Sequence, residues 1–202
     1  MHIDELLELK VIRSNTSRHR SPTFIVNNHS EQKRGKSRMS INYKRLNDNT
    51  LDNSYKIPNK DELVNCIQNA KYFSKFDCKS EFWQIRLHEK YVQWTTFGCS
   101  EGHFEWLLMP FGLKNAPQVF QARMDRILKP YSKFYIVYID DILVFSQNKF
   151  MHITRLHKIL DCFKNNNIVI SKKKIELLKQ KIDILGLTID RGTIELRLHI
   201  VS

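Results

Sequence analysis

At 202 residues, with 42% hydrophobic residues and 12 phenylalanines, the chain can bury a real core as one domain, or one domain of two lobes, which excludes a disordered tail. Its net charge of +12 points to a polyanionic partner, nucleic acid ahead of a membrane surface, although a merely soluble basic protein has the same balance. Cys66, Cys78, Cys99 and Cys162 lie far apart, which excludes a zinc ribbon or a disulfide scaffold and fits reduced thiols. No apolar stretch approaches a membrane span, and Met1 to Glu5 lack the basic-then-apolar order of a secretory leader, so a soluble intracellular setting is expected.

In chain order, residues 3–9 alternate apolar and acidic groups at helical spacing and predict a short opening helix, followed by a polar extended loop over 11–22. Strands are expected at 23–26 and 39–43, with the basic loop Glu31 to Arg38 turning at Gly35 between them. Such a loop is ordinarily only solvated, but between two strands it could also curl over a phosphate. Pro58 and Asn59 open a helix expected to run through Ile67, with Asp61 and Glu62 in its first turn. Lys71 to Asp77 reads as a strand ending on a carboxylate. Short aromatic-rich strands follow at 84–87, 94–97 and 103–108, until Met109-Pro110-Phe111-Gly112 breaks the meander.

Asn115 is placed to cap a helix with Ala116 and Pro117 in its first turn, where proline is tolerated. Phe120, Met124, Ile127 and Leu128 share one face of it, and Pro130 ends it. A second amphipathic helix is marked by Ile153, Leu156, Leu160 and Phe163 and stops in Asn165-Asn166-Asn167. A strand at 168–170, the lysine run Lys172-Lys173-Lys174, an apolar stretch from Ile182 to Ile189 and a turn at Arg191-Gly192 into a last strand complete the chain. Strands and helices alternate in blocks without a repeat or linker, which makes the class α+β.

Between those two helices lies Phe134 to Phe145, two apolar, β-branched and aromatic runs separated by Asp140 and Asp141. Burying an unpaired charge costs several kcal/mol, so the pair does not belong inside a strand. At the tip of a tight hairpin the runs enter a core and the carboxylates are held rigidly at its rim. Hard oxygen ligands held in that way suit Mg2+. An ordinary hairpin with an Asp-rich turn has the same pattern. Asp77, a third carboxylate at a strand end, adds the second strand that a two-metal site for phosphoryl transfer would draw on. His152 and His157 are not at the i, i+4 spacing of a helical metal pair, and Trp83, Trp94 and Trp106 read as core or sheet residues.

Tyr138-Ile139-Asp140-Asp141 resembles the signature of reverse transcriptases, and the neighbouring motifs stand in the matching order. Ser74 to Ile85, with Phe76-Asp77-Cys78-Lys79-Ser80, is similar to the first catalytic-aspartate motif. His103 to Trp106 with Met109 to Gln121 resembles the template and nucleotide-pocket block. Arg34 to Met39 with Asn42 to Asn47 resembles the fingers motif, and Ser171 to Lys174 and Leu185-Gly186-Leu187 complete the set. The similarity covers nearly the whole chain and is closest to plant pararetroviruses of the caulimovirus type, with gypsy-type retrotransposons next.

The resemblance implies a fingers-and-palm polymerase fold with a central antiparallel sheet, fingers at about 1–70, palm at about 71–202, and a return to the fingers at about 85–112. It implies an RNA-directed DNA polymerase with two Mg2+ ions, or Mn2+, held by Asp77, Asp140, Asp141 and the Cys78 carbonyl. Its partners would be an RNA or DNA template with a primer and deoxynucleoside triphosphates. Arg38 would grip the triphosphate with its planar fork, assisted by Lys36 or Lys33. Phe82 would stand as the steric gate against a ribose 2′-hydroxyl, Phe111 and Pro117 would line the nucleotide and template pocket, and Lys174 would meet the pyrophosphate.

Some positions depart from the family pattern. Glu81 stands where a small residue, usually glycine, is expected beside the incoming nucleotide. Ser14 and Arg18 replace loop prolines, and Ile184 replaces an aromatic residue before Leu185-Gly186. The thumb and ribonuclease H parts are expected to be missing from this chain, as in a piece of a polyprotein. A catalytically impaired nucleic-acid-binding remnant of an integrated element is therefore the alternative to a working enzyme.

Overall fold

The computed structural model describes residues 3–26, 38–59, 62, 65–67, 69–191 and 193–196. Two compact units are present: residues 1–53 with 82–117, and residues 54–81 with 118–202. In chain order the elements are α1 (Ile3–Glu8), β1 (Ile12–Ser14), β2 (Ser21–Val26), β3 (Arg38–Ile41), α2 (Lys44–Asp48), β4 (Tyr72–Asp77), α3 (Glu89–Val92), β5 (Phe97–Cys99) and β6 (Gly102–Trp106). They continue as α4 (Ala116–Leu128), β7 (Tyr135–Tyr138), β8 (Asp141–Ser146), α5 (Lys149–Asn165), β9 (Glu176–Lys179), β10 (Lys181–Ile184), β11 (Leu187–Asp190) and β12 (Thr193–Leu196).

The first unit is a five-stranded sheet in the order β1-β6-β5-β2-β3, antiparallel except for the β2–β5 pair. Its core gathers Leu6, Ile12, Tyr43, Phe97, Phe104 and Trp106, so the aromatic residues of the expected meander do become interior. The meander itself differs from its expected outline. Residues 81–84 form a 3-10 turn rather than a strand start, and Arg86 meets Leu108 only as an isolated bridge. Trp94 lies in a 3-10 turn and is 49% exposed, so it is not a core residue. The polar loop expected at 11–22 contains β1, which closes the sheet edge on Trp106, Glu105 and Phe104. Gly112, at φ +90°, supplies the left-handed turn that ends this stretch. The Asn115 side chain bonds the backbone of Asn53 and Leu51.

The second unit holds a four-stranded antiparallel sheet, β7-β8-β4-β9, and a three-stranded one, β10-β11-β12. One face of the larger sheet contributes Phe73, Ile136, Leu143 and Phe145 to a core shared with Ile182, Ile184 and Ile189 of β10 and β11. Phe76, on the other face, packs edge-on against Phe163 of α5. Helix α5 buries Leu156, Ile159 and Phe163 but leaves Ile153 and Leu160 each 40% exposed, which rotates the buried face from the expected one. Asn148 caps this helix by accepting from the Met151 amide. Residues 168–170 supply a bridge from Ile170 to Cys78 rather than a strand. The basic loop with Lys33 and Lys36 lies outside the described residues. Of the helix expected from Pro58 to Ile67, Pro58 and Asn59 are not helical, Glu62 and Asn65 are, Cys66 and Ile67 form a turn, and the remaining positions lie outside the described residues. Among the described residues all four cysteines are free thiols, and no helix is long and apolar enough to cross a membrane.

Candidate active site

The carboxylates are brought together by register. Strands β4 and β8 run antiparallel from Tyr72 opposite Ser146 to Asp77 opposite Asp141. Phe76 and Ile142, the pair before the carboxylates, are essentially inaccessible and anchor that end. Strands β7 and β8 are joined by only Ile139 and Asp140, and the Cys78 amide donates to the Asp140 carbonyl at 2.9 Å, tying the turn to the end of β4. Asp77, Asp140 and Asp141 thus share one end of one sheet.

Each of two lysines neutralises a different carboxylate. Lys174 Nζ lies 2.7 Å from Asp77 Oδ2, while Lys75 Nζ lies 3.1 Å from Asp141 Oδ1 and 3.4 Å from the Asp183 carbonyl. The bond to Asp77 raises the Lys174 pKa. Burial lifts Asp141 above the usual carboxylate range, against the pull of Lys75. Cys78 is held as a thiol, its pKa pushed up to about 12 by burial first and then by Asp140 and Asp77. Glu81, in the 3-10 turn beyond β4, is partly buried, and its pKa is raised by that burial and by Asp140 and Asp77. On the β10 side a cavity of about 480 Å3 opens over Lys75, Tyr138, Asp141, Glu176 and Asp183.

Among the described residues no three His, Cys, Asp or Glu side chains form a ready-made cage for an ion. The donor set nonetheless fits a divalent cation. The donors are carboxylate oxygens on paired strands, and the ammonium on Asp77 is a cation already standing there.

The turn depends on a residue to which the sequence pattern assigned no role. Ile139 has φ +56°, a left-handed value that is unfavourable for a β-branched residue. Its amide donates to Gln121 Oε1 at 2.7 Å, and Gln121 Nε2 donates to the Val137 carbonyl at 3.0 Å. Gln121 is fully buried on α4, so one side-chain amide splints both sides of the turn. The available signal was an amide at helical spacing from Met124 and Leu128, a polar group on an apolar face.

In the first unit, Phe82 and Phe111 are in ring contact at 5.1 Å, and Trp83 stacks on Trp106 at 5.6 Å. Phe111, Trp83, Trp106 and Met39 line a cavity of about 320 Å3. Arg38 begins β3, and Pro117 sits in the first turn of α4 as expected. The side chain of Arg38, like Lys36, is outside the described residues.

A sheet end carrying three aspartates, one from a strand and two from the hairpin paired with it, is what this palm-like fold brings together. Residues 26–189 match the family described as reverse transcriptase (RNA-dependent DNA polymerase), and the chain belongs to that family. It is 49% identical over 200 residues to the enzymatic polyprotein of cauliflower mosaic virus (strain CM-1841), a match covering 99% of this chain and 30% of that relative. It is 43% identical over 207 residues to polyprotein P3 of Commelina yellow mottle virus, covering 99% of this chain and 11% of that one. The chain thus spans less than a third of these relatives' length, and the caulimovirus-type resemblance of the motifs extends over the whole of it.

Among solved structures it is similar to foamy viral protease-reverse transcriptase in complex with double-stranded DNA, at TM-score 0.88 and 25% identity over 98% of this chain and 34% of that one. The complex of the same kind of enzyme with an RNA/DNA hybrid gives 0.85 and 24%, over 98% of this chain and 26% of that one. The α+β fold expected from the sequence is the fold found, and it is that of retroviral reverse transcriptases.

Proposed function

We propose that this chain is the fingers-and-palm part of an RNA-directed DNA polymerase from a pararetroviral or retrotransposon polyprotein, adding deoxynucleotides to a primer 3′ end. In this reading the fingers are about residues 1–70 with a return at about 85–112, and the palm is about 71–202. The observation that carries it is the pairing of Asp77 with Asp141, beside Asp140 at the hairpin tip, in a member of this family. Asp77, Asp140 and Asp141, with the Cys78 carbonyl, would hold two Mg2+ ions, or Mn2+ in their place. Such ions, when bound, lower the pKa of a hydroxyl nucleophile and neutralise a triphosphate and its leaving group.

The protein's own groups do the rest. Lys174, whose side chain is 64% exposed, would turn to a leaving pyrophosphate, at the cost of taking its ammonium from the enclosed Asp77 carboxylate. Lys75, more enclosed, keeps Asp141 compensated. Arg38 with Lys36 would hold the triphosphate, Phe82 would exclude a 2′-hydroxyl, and Phe111 and Pro117 would line the nucleotide and template pocket. An RNA or DNA template with its primer is the polyanionic partner. The foamy viral neighbours are complexes with an RNA/DNA hybrid and with double-stranded DNA, and the net charge of +12 suits such a ligand.

Glu81 supports a second reading. A partly buried carboxylate in the field of Asp77 and Asp140 would crowd and repel a nucleotide, leaving a nucleic-acid-binding remnant without turnover. Primer extension on an RNA template with Mg2+ separates the two. Extension by the wild type that falls to background in Asp140→Asn is the expected result. Extension by Glu81→Gly alone would mean an intact but blocked site. Extension by none of them, with a gel shift that weakens steeply as salt rises, would replace the enzyme reading by the remnant.

A further inference from the structure

The Gln121 splint works only one way round. If the amide were flipped, its nitrogen would face the Ile139 N–H and its oxygen the Val137 carbonyl, and both bonds would be lost. Nothing in the turn alone prevents that flip except those same two bonds. The second constraint comes from outside the turn. Gln121 Nε2 also lies 3.2 Å from both Asp125 Oδ1 and Oδ2, one helical turn along α4. An ionised carboxylate accepts and cannot donate, so it admits only the orientation that leaves Oε1 for the Ile139 amide. Asp125 is itself held by Tyr55, whose hydroxyl donates to Asp125 Oδ2 at 2.5 Å.

We propose that Asp125 and Tyr55 are positioning residues for the carboxylate hairpin: they fix the orientation of the Gln121 amide, which holds the Ile139–Asp140 turn and therefore the Asp140 carboxylate. The chain of contacts is Tyr55 to Asp125 to Gln121 to Ile139, all within the second unit. The Asp125 bond pushes the Tyr55 pKa up to about 12, so the hydroxyl remains a donor at working pH. Tyr55 is 37% exposed, and its position before α4 in the chain gives no hint of a link to the hairpin. A left-handed isoleucine needs such support. Its backbone conformation is intrinsically costly, and the bonds that hold it are the reason it persists.

The consequence for catalysis rests on the polymerase reading, but the arrangement itself can be tested without turnover. In the intact chain, native-state hydrogen exchange followed by NMR reports the Ile139 amide directly, and the β4–β8 ladder amides serve as the internal reference. Asp125→Ala is expected to speed Ile139 exchange roughly tenfold, the worth of one hydrogen bond, while the ladder amides do not change. Asp125→Asn is expected to do the same, because its amide permits the flip. Tyr55→Phe, a milder change that keeps the ring, should give about threefold.

Unchanged Ile139 exchange in Asp125→Ala would overturn the proposal, since Gln121 would then hold the turn unaided. A rise shared equally by the ladder amides would also overturn it, since Asp125 would then be a general stabiliser. Where the wild type extends a primer, Asp125→Ala should lower kcat about tenfold and leave the nucleotide KM within about twofold. A chain that extends nothing removes the polymerase reading, while the exchange result still decides the positioning role.

Discussion

In the first unit Tyr43 and Glu105 are bonded in short sets beside an aromatic core, whereas in the second unit Gln121 and His152 each bond across elements to the strands of the carboxylate hairpin. Tyr43 donates to the Thr95 carbonyl at 2.8 Å, and the buried carboxylate of Glu105 is answered by Arg13 and Asn15. Around these sets Phe97 stacks between Phe104 and Trp106, at 5.9 and 5.8 Å. In the second unit Gln121 links α4 to the β7–β8 turn, and His152 links α5 to both β4 and β8. The contrast follows from what each unit carries. Aromatic surface packs by area and tolerates small shifts, but several carboxylates at one sheet end repel one another and keep their places only if the backbone beneath is fixed by directional bonds.

If the first unit rests on aromatic area, its largest single loss should come from that stack. Phe97→Ala, at a fully buried position, is expected to cost about 3–5 kcal/mol in denaturant unfolding. A cost below about 1 kcal/mol would mean that the short polar sets, not the stack, hold the unit.

The second unit should instead be sensitive to protonation at His152. Ser146 Oγ donates to the Phe145 carbonyl, so it must accept from His152 Nδ1 at 3.0 Å and from Arg155 at 3.2 Å. Ser74 Oγ, which accepts the Leu178 amide, donates to Nε2 at 2.8 Å. The ring is therefore neutral and fully bonded, and a second proton has no acceptor. Burial, with Arg155 adding to it, lowers the His152 pKa from 6.5 to about 4. The unfolded chain takes up the proton first. Stability from this group is thus intact above pH 6.5 and is lost as pH falls toward 4, at no more than about 1.4 kcal/mol per pH unit. Urea midpoints of wild type and His152→Gln, compared across that window, isolate the effect: the wild type should fall more steeply. Parallel curves would remove His152 as a titrating group and leave the network purely structural.

These networks mark the limit of what the sequence revealed. The hairpin, β4 and α4 were legible because their apolar, β-branched or helically spaced residues sit where burial demands them. The three aspartates were legible because carboxylates interrupt that pattern. Strand β9 was not, since Glu176-Leu177-Leu178-Lys179 is largely exposed and has no inward-outward alternation. The buried face of α5 was misjudged because apolar residues surround the helix: Phe150 is 85% exposed while the polar His152 is wholly buried. Periodicity cannot rank faces when a histidine's partners, Ser74 and Ser146, come from distant strands. Gln121 was missed for the same reason, as its value lies in a bond to a backbone amide whose conformation no composition reveals.

The smallest expected effect probes the turn itself. A two-residue hairpin loop with φ > 0 at its first central position ordinarily takes glycine there, whereas this chain has isoleucine. Ile139→Gly removes a conformational penalty of about 1–2 kcal/mol and adds an unfolded-state entropy cost of about 0.5–1 kcal/mol. The Ile139 side chain is only partly buried, so little packing is lost. The net expectation is a gain of about 0.5 kcal/mol, read as a slightly higher urea midpoint with an unchanged m-value. The gain should persist in Gln121→Ala, where the splint is gone, because a glycine turn does not need to be held. If Ile139→Gly instead lowers the midpoint, the isoleucine side chain contributes more to the sheet end than its backbone costs. The hairpin would then be held by packing, as the first unit is, and the distinction between the two units would narrow to the carboxylates alone.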